Sequence, residues 1–220
     1  YGDYSSIRGS NAFRFSSTEL KNYWYGDDFN HNLTTSEQNV ILNNWAHVAV
    51  TYDSSIGTYG QRVMYLNGNQ IATNSPTGAA SFNLQDFTIG KTRTNEYFDG
   101  SISNVSIWNT ALTSTQVTEI YSEGIPQNLN NHSAVSSLVS WWQLGSNSSF
   151  NTNWTCLDEI GTNNAVSVNM TNDDIVDGPG YSASGLGTSS IDIKGDAPYS
   201  TANGLSENMD VLDRTTDIPS

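Results

Sequence analysis

Between Trp45 and Gly124 the chain alternates in a way that leaves little room for anything but antiparallel β-structure. The run WAHVAVTY places successive side chains on opposite faces, the two-residue period of a strand. RVMYL and NQIAT are two further runs, separated only by Asn67-Gly68. That dipeptide tolerates the two left-handed residues of a type I′ turn and matches the twist of paired strands. DFTIG and YFDGSISNVSIW continue the series. In the last run Phe98 and Ile102 share one parity, whereas Val105 and Ile107 fall on the other. The register must therefore shift there, and a bulge at Ser103 and Asn104 explains it, as does burial of both faces.

One helix punctuates the strands. In TALTSTQVTEIYSEG, Thr113 can cap the first turn and Gln116 can reach back to the Thr113 amide. Leu112 and Val117 fall at the positions of a hydrophobic staple, and Val117, Ile120 and Tyr121 form an apolar stripe. Gly124 followed by Pro126 is expected to end it. Ahead of this region, SNAFRFSS and KNYWYG read as short strands separated by polar turns such as DDFNHN. After it, LVSWWQLG reads as a strand buried on both faces, followed by a short Asp-x-x-Gly turn in LDEIGTNN.

Composition narrows the partners. Eight basic against twenty-two acidic residues leave a net charge of −14, which would repel a phosphate backbone and an anionic bilayer alike. No apolar run approaches the roughly 20 residues of a membrane span. Neither nucleic acid nor membrane insertion is expected. The single cysteine, Cys156, cannot close an internal disulfide, and its neighbours are not basic, so a small buried hydrophobe is the expected role.

The order W-x-H-V-A-V-T-Y-D (Trp45 to Asp53), MYLNG, FTIG, and FDGSI leading through IWNTAL to the closing helix resembles the laminin-G-like, concanavalin A-like jelly-roll family. The resemblance implies an all-β, antiparallel jelly-roll β-sandwich over residues 1–124, with strands expected ahead of Tyr1. Residues 125–182 read as a linker plus strands that pack on the sandwich or on a neighbouring subunit. Residues 183–220 are poor in large apolar groups and read as an extended, subunit-docking arm. The segments LVSWWQLG, DEIGTNNAVSVNM and APYSTANGLSENMDVLDRTTDIP also resemble tails of structural proteins of marine tailed phages, which implies a virion component.

Glucanases of this fold place carboxylates close together on one strand, to flank the scissile bond. The glutamates Glu19, Glu37, Glu96, Glu119, Glu123, Glu159 and Glu207 never reach that spacing. His47 reads as a strand residue rather than a base. Sugar recognition needs flat apolar faces together with planar amides or carboxylates, and the loop candidates are Tyr23, Trp24 and Tyr25 beside Asp27 and Asp28, and Tyr97 beside Asn95. For Trp24 and Tyr97 the core competes, and core packing is expected to claim Trp45, Trp108 and one of Trp141 and Trp142. Calcium, bound by several relatives at the rim, would fall to Asp53, Asp86 and Asp99. Many relatives carry Asp-Glu where Ser103 and Asn104 stand here, and for Asp53 and Asp99 local turn formation is the competing role.

The resulting expectation is a non-enzymatic virion surface protein, a decoration or fibre component, whose jelly roll can bind cell-surface glycans and whose partners are other virion subunits or further copies of itself. A cellular adhesin or secreted carbohydrate-binding module, extracellular or at the cell surface, is the alternative. A glycan hydrolase is the second alternative.

Overall fold

The computed structural model describes residues 11–24, 26–42, 44–79, 87–93, 96–145, 147–179, 189–193 and 211–214. The chain divides into two compact units, one of residues 1–85 and 108–137 and the other of residues 86–107 and 138–220. Antiparallel strands dominate both, as the sequence predicts.

In the first unit, β1 (Asn11–Phe15), β2 (Glu19–Trp24) and β3 (Phe29–Asn32) form one antiparallel sheet. β4 (Val48–Asp53), β5 (Gln61–Leu66) and β6 (Asn69–Asn74) form a second. The predicted hairpin joins β5 to β6, with Asn67 at φ 48° and Gly68 at φ 75°. This is the left-handed pair that a two-residue turn demands. Leu20, Phe29, Leu33 and Met64 are buried together with Phe13, Val48, Val50, Ile71 and Ala72 against them, so the two sheets face each other across this core.

A second core lies on the other side of β5. Tyr65, Leu112, Val117 and Ala134 are buried with Ala49, Val63, Trp108 and Ile120 packed around them. The alternation along β4 and β5 explains both cores, since Met64 serves one face and Val63 and Tyr65 the other. Helix α2 (Ser114–Tyr121) closes this layer, and its capping box is formed as expected: Gln116 N–H donates to Thr113 Oγ1 at 3.3 Å and Thr113 N–H to Gln116 Oε1 at 2.9 Å. Leu112 and Val117 are both buried. The helix stops two residues earlier than predicted, with Ser122 as its left-handed cap (φ 39°) before Gly124.

Three further features depart from expectation. DDFNHN is not a turn throughout, because Phe29–Asn32 pairs with β2 and buries Phe29; cross-strand burial overrides the turn-forming composition. A second helix, α1 (Thr35–Ile41), follows, with its own capping box between Thr34 and Glu37. Trp45 precedes β4 by three residues, outside the ladder that would have turned it inward, and is 40% exposed.

His47 precedes β4 and is fixed by the hairpin. Its amide donates to Asn67 Oδ1 and its carbonyl accepts from the Asn67 amide, both at 2.8 Å. The imidazole Nδ1 is buried with no hydrogen-bond partner, and burial pushes the ring's pKa down to about 4. The unfolded chain, with a histidine near 6.5, therefore binds more protons between the two values, so this contribution is complete above pH 6.5 and is lost on acidification. Stability should fall by about 2 kcal/mol between pH 6.5 and 5 through this residue alone. Urea titrations of wild type and His47→Gln across that range check this, the variant giving the flatter profile.

The second unit contains β7 (Phe87–Ile89), β8 (Lys91–Arg93), β9 (Glu96–Tyr97), β10 (Gly100–Ile102), β11 (Val105–Trp108), β12 (Leu138–Trp142), β13 (Ser148–Phe150), β14 (Trp154–Cys156), β15 (Ala165–Val168), β16 (Ile175–Asp177), β17 (Ser189–Ile193) and β18 (Val211–Arg214). The largest sheet has the order β13-β14-β15-β18-β7; a three-stranded one runs β10-β17-β16, and β8-β9 and β11-β12 are pairs. The expected register shift falls between β10 and β11, where Asn104 is left-handed at φ 53°. Its amide donates to the Gln143 carbonyl, and Trp141 Nε1 donates to its Oδ1.

Ile89, Trp142, Leu144, Trp154, Cys156, Ala165 and Met170 make the core, with Phe87 stacked on Trp142 at 5.4 Å. Trp141 is as deeply buried as Trp142, so the core claims both. Each buried indole withdraws on the order of 200 Å² from water, worth about 5 kcal/mol before ordering costs. Cys156 is buried, and burial pushes its thiol up to about 11, the inert role expected.

Candidate functional site

The end of the first unit that carries the predicted sugar rim is organised by a residue that strand patterning does not single out. Arg62, near the start of β5, is 0% exposed. Nε donates to Asn74 Oδ1 at 3.1 Å. Nη1 donates to the Asp27 carbonyl at 2.9 Å and to Asn22 Oδ1 at 3.4 Å. Nη2 donates to Asp27 Oδ1 at 2.8 Å and to Asn74 Oδ1 at 2.6 Å. All five guanidinium N–H groups are thus engaged. None is left for a ligand, and the charge serves to tie β2, β5, β6 and the loop after β2 together. The Trp24 ring lies 4.3 Å and the Phe29 ring 5.5 Å from the guanidinium carbon, so aromatic faces shield the ion as well.

Asp27 closes the network. Its Oδ2 accepts from both the amide and the hydroxyl of Thr77. Burial opposes its ionisation, but the Thr77 donors and the Arg62 charge outweigh that and hold the carboxyl below the usual range. Burial in turn lowers the Arg62 pKa, with Asp27 opposing.

Outward from this pin, contacts run to an exposed loop. Tyr52 meets Trp24 edge-on at 4.9 Å, and its hydroxyl donates to the Tyr59 carbonyl at 3.0 Å. Gly60 is required beside it: φ is +88°, and a Cβ there would lie 2.3 Å from Tyr52 Cε2 and 2.8 Å from the Asp53 carbonyl. At the other end of the loop, Ser55 donates to Asp53 Oδ1 through its hydroxyl and its amide, which lowers the Asp53 pKa. The loop is held at both ends, and it exposes Tyr59 (42%) and Ile56 (43%). A tyrosine on such a loop offers a flat apolar face and a hydroxyl, the pair of functions that a pyranose ring needs from a protein.

The predicted site residues divide accordingly. Trp24 is buried and belongs to the Arg62 network, and Asp27 is consumed by it, so neither presents a free face to a sugar. Tyr23, on the same strand, is partly exposed with the Arg14 guanidinium 6.0 Å from its ring. Tyr97 is partly buried against the second unit's core, with Lys91 Nζ 5.6 Å from its ring. Tyr25, Asn95 and Asp86 lie outside the described residues. Asp53 makes the local turn, and Asp99 is exposed in the other unit. Among the described residues no group of three His, Cys, Asp or Glu could hold a metal ion. Tyr59 and Ile56 were signalled only by the flanking Gly57 and Gly60, which mark a loop tip without saying what it presents.

A second buried carboxylate anchors the other unit. Asp158 Oδ2 accepts from the Ser140 hydroxyl at 2.9 Å and the Asn163 amide at 3.3 Å, and Oδ1 accepts from the amides of Trp141 (3.0 Å) and Ile160 (3.2 Å). Burial raises its pKa, but the Trp141, Ile160 and Gly161 amides and the Ser140 hydroxyl outweigh it and leave the pKa lowered. The predicted Asp-x-x-Gly turn is therefore formed around an anion held by neutral donors. Trp142 Nε1 donates to the Asn163 carbonyl at 2.7 Å and fixes the same turn from the core side.

Comparison with curated proteins and with solved structures gives no match. Among protein families, the model described as the concanavalin A-like lectin/glucanases superfamily matches residues 3–118. The match spans β1 to β11 and most of α2, and takes in every segment that builds the Arg62 pin and the Tyr59 loop. With the family's model covering over half of the sequence and antiparallel sheets built as that family requires, the chain belongs to the concanavalin A-like lectin/glucanase superfamily.

Proposed function

We propose that this protein binds carbohydrate without hydrolysing it, through the loop that carries Tyr59, as a surface component of a virion. The observation that carries the binding half is an exposed aromatic on a loop fixed by Gly60, Tyr52 and, behind them, the Arg62 pin. A rigid aromatic loses little entropy when a ligand stacks on it. The non-enzymatic half is supported by the carboxylates. The glutamates never reach the paired spacing that glucanases of this fold place around a scissile bond, and the Asp27 and Asp158 carboxylates are taken up by donors of the protein itself. The virion setting is supported by the acidic, polar composition and by the C-terminal segments that resemble phage structural proteins.

A glycan array probed with the full chain tests this. We expect selective binding that Tyr59→Ala weakens at least tenfold and Trp45→Ala leaves unchanged, with no reducing ends released. Equal binding by wild type and Tyr59→Ala would exclude the loop as the sugar site. Sugar release abolished by a single carboxylate substitution would replace binding with hydrolysis. Mass spectrometry of intact particles tests the setting, and a chain found only on cells would make it an adhesin.

A further inference from the structure

The two strands latest in the described sequence do not lie at sheet edges. β17 sits between β10 and β16, and β18 between β15 and β7, every pairing being antiparallel. β15 and β7 therefore run parallel to each other, one strand apart, with β18 filling a gap of about 9.5 Å. Without β18 they would face each other with two rows of unpaired N–H and C=O groups. That is a strand-acceptor slot, which main-chain hydrogen bonding alone can fill.

We propose that this slot accepts residues 211–214 of a second copy of the chain, so that copies link by reciprocal exchange of β18. The setting rests on the assembly role proposed above; the slot itself rests only on sheet order. A backbone ladder is indifferent to which chain supplies the strand, so the exchanged and unexchanged forms make the same pairings. Reach is sufficient. Residues 194–210 separate β17 from β18, and a stretch of that length spans up to about 55 Å when extended, more than the width of a neighbouring unit of this size. With equal contacts, effective concentration decides. A strand joined covalently to its own slot competes at an effective concentration on the order of millimolar. Isolated chains at micromolar concentration keep their own strand, and copies held side by side in an array exchange it.

Val168 and Val211 are register partners, and opposed Cα atoms in an antiparallel pair lie within disulfide range. Two full-length variants, Val168→Cys and Val211→Cys, mixed at millimolar concentration and then oxidised, should give at least ten times more covalent dimer than either variant alone. The buried Cys156 does not compete. The double variant, oxidised at micromolar concentration, should close within one chain. A mixture yielding no more dimer than the single variants would overturn the exchange. A double variant that fails to close would overturn the slot assignment itself. Either failure leaves sugar binding and the presence of the chain in particles standing, and these are read by the array and the mass spectra.

Discussion

Arg62→Ala is expected to lower the stability of the first unit by about 3–5 kcal/mol, the usual result of removing one partner from a buried ion pair. The deletion takes the cation away from Asp27, whose side chain is 7% exposed, and removes the Arg62 donors from Asn22 and Asn74. It also opens a cavity beside Trp24 and Phe29. Arg62→Lys should recover only part of the loss, because an ammonium cannot supply five N–H groups in a planar fork. Chemical denaturation followed by tryptophan fluorescence reads the change. A loss below 1 kcal/mol for the alanine variant would mean that the network contributes little. Sugar binding should weaken in parallel, since the Tyr59 loop is backed by Tyr52, which meets the Trp24 ring that lies on this arginine.

The second large effect belongs to Asp158. Asp158→Ala is expected to cost about 3–5 kcal/mol, because the donors of Ser140, Trp141, Ile160 and Asn163 lose their acceptor in a buried place. Asp158→Asn keeps the shape but cannot accept on both sides, and should cost less. The sign of the pH dependence follows from the lowered pKa. The unfolded chain binds the proton more readily, so the carboxylate's contribution is complete above the unfolded value near 3.9 and disappears as pH falls through the folded value. Acid titration of wild type below about pH 4 should show this loss, and Asp158→Asn should lack it. Identical acid profiles for the two would overturn the assignment.

What the sequence made legible was local. The Asn67-Gly68 turn, the Thr113 and Gln116 box, the Asp53 turn with Ser55 and the Asp158 turn each close within a few residues, so their geometry is written in adjacent letters. The Thr34 and Glu37 box is equally local, but it sits among residues read as strand and turn. The Arg62 network was illegible for the opposite reason. Its partners lie 12 to 40 positions away, and Thr77 reaches Asp27 across 50; an arginine in RVMYL alternates like any strand residue until the fold brings those partners in. Trp24 and Asp27 looked like ligand groups because an aromatic beside a carboxylate serves a core pin and a sugar subsite equally well. The exposure of Trp45 depends on where β4 begins, which alternation alone does not fix.

The central strand β5 gives Met64 to one hydrophobic cluster and Tyr65 to the other, with Arg62 at its start. A change that loosens this strand is felt on both sides of the sheet at once. The first unit therefore has no independent layer to shed: the helical cover and the facing sheet stand or fall with a six-residue segment, and variation tolerated on the outer loops should find little tolerance there.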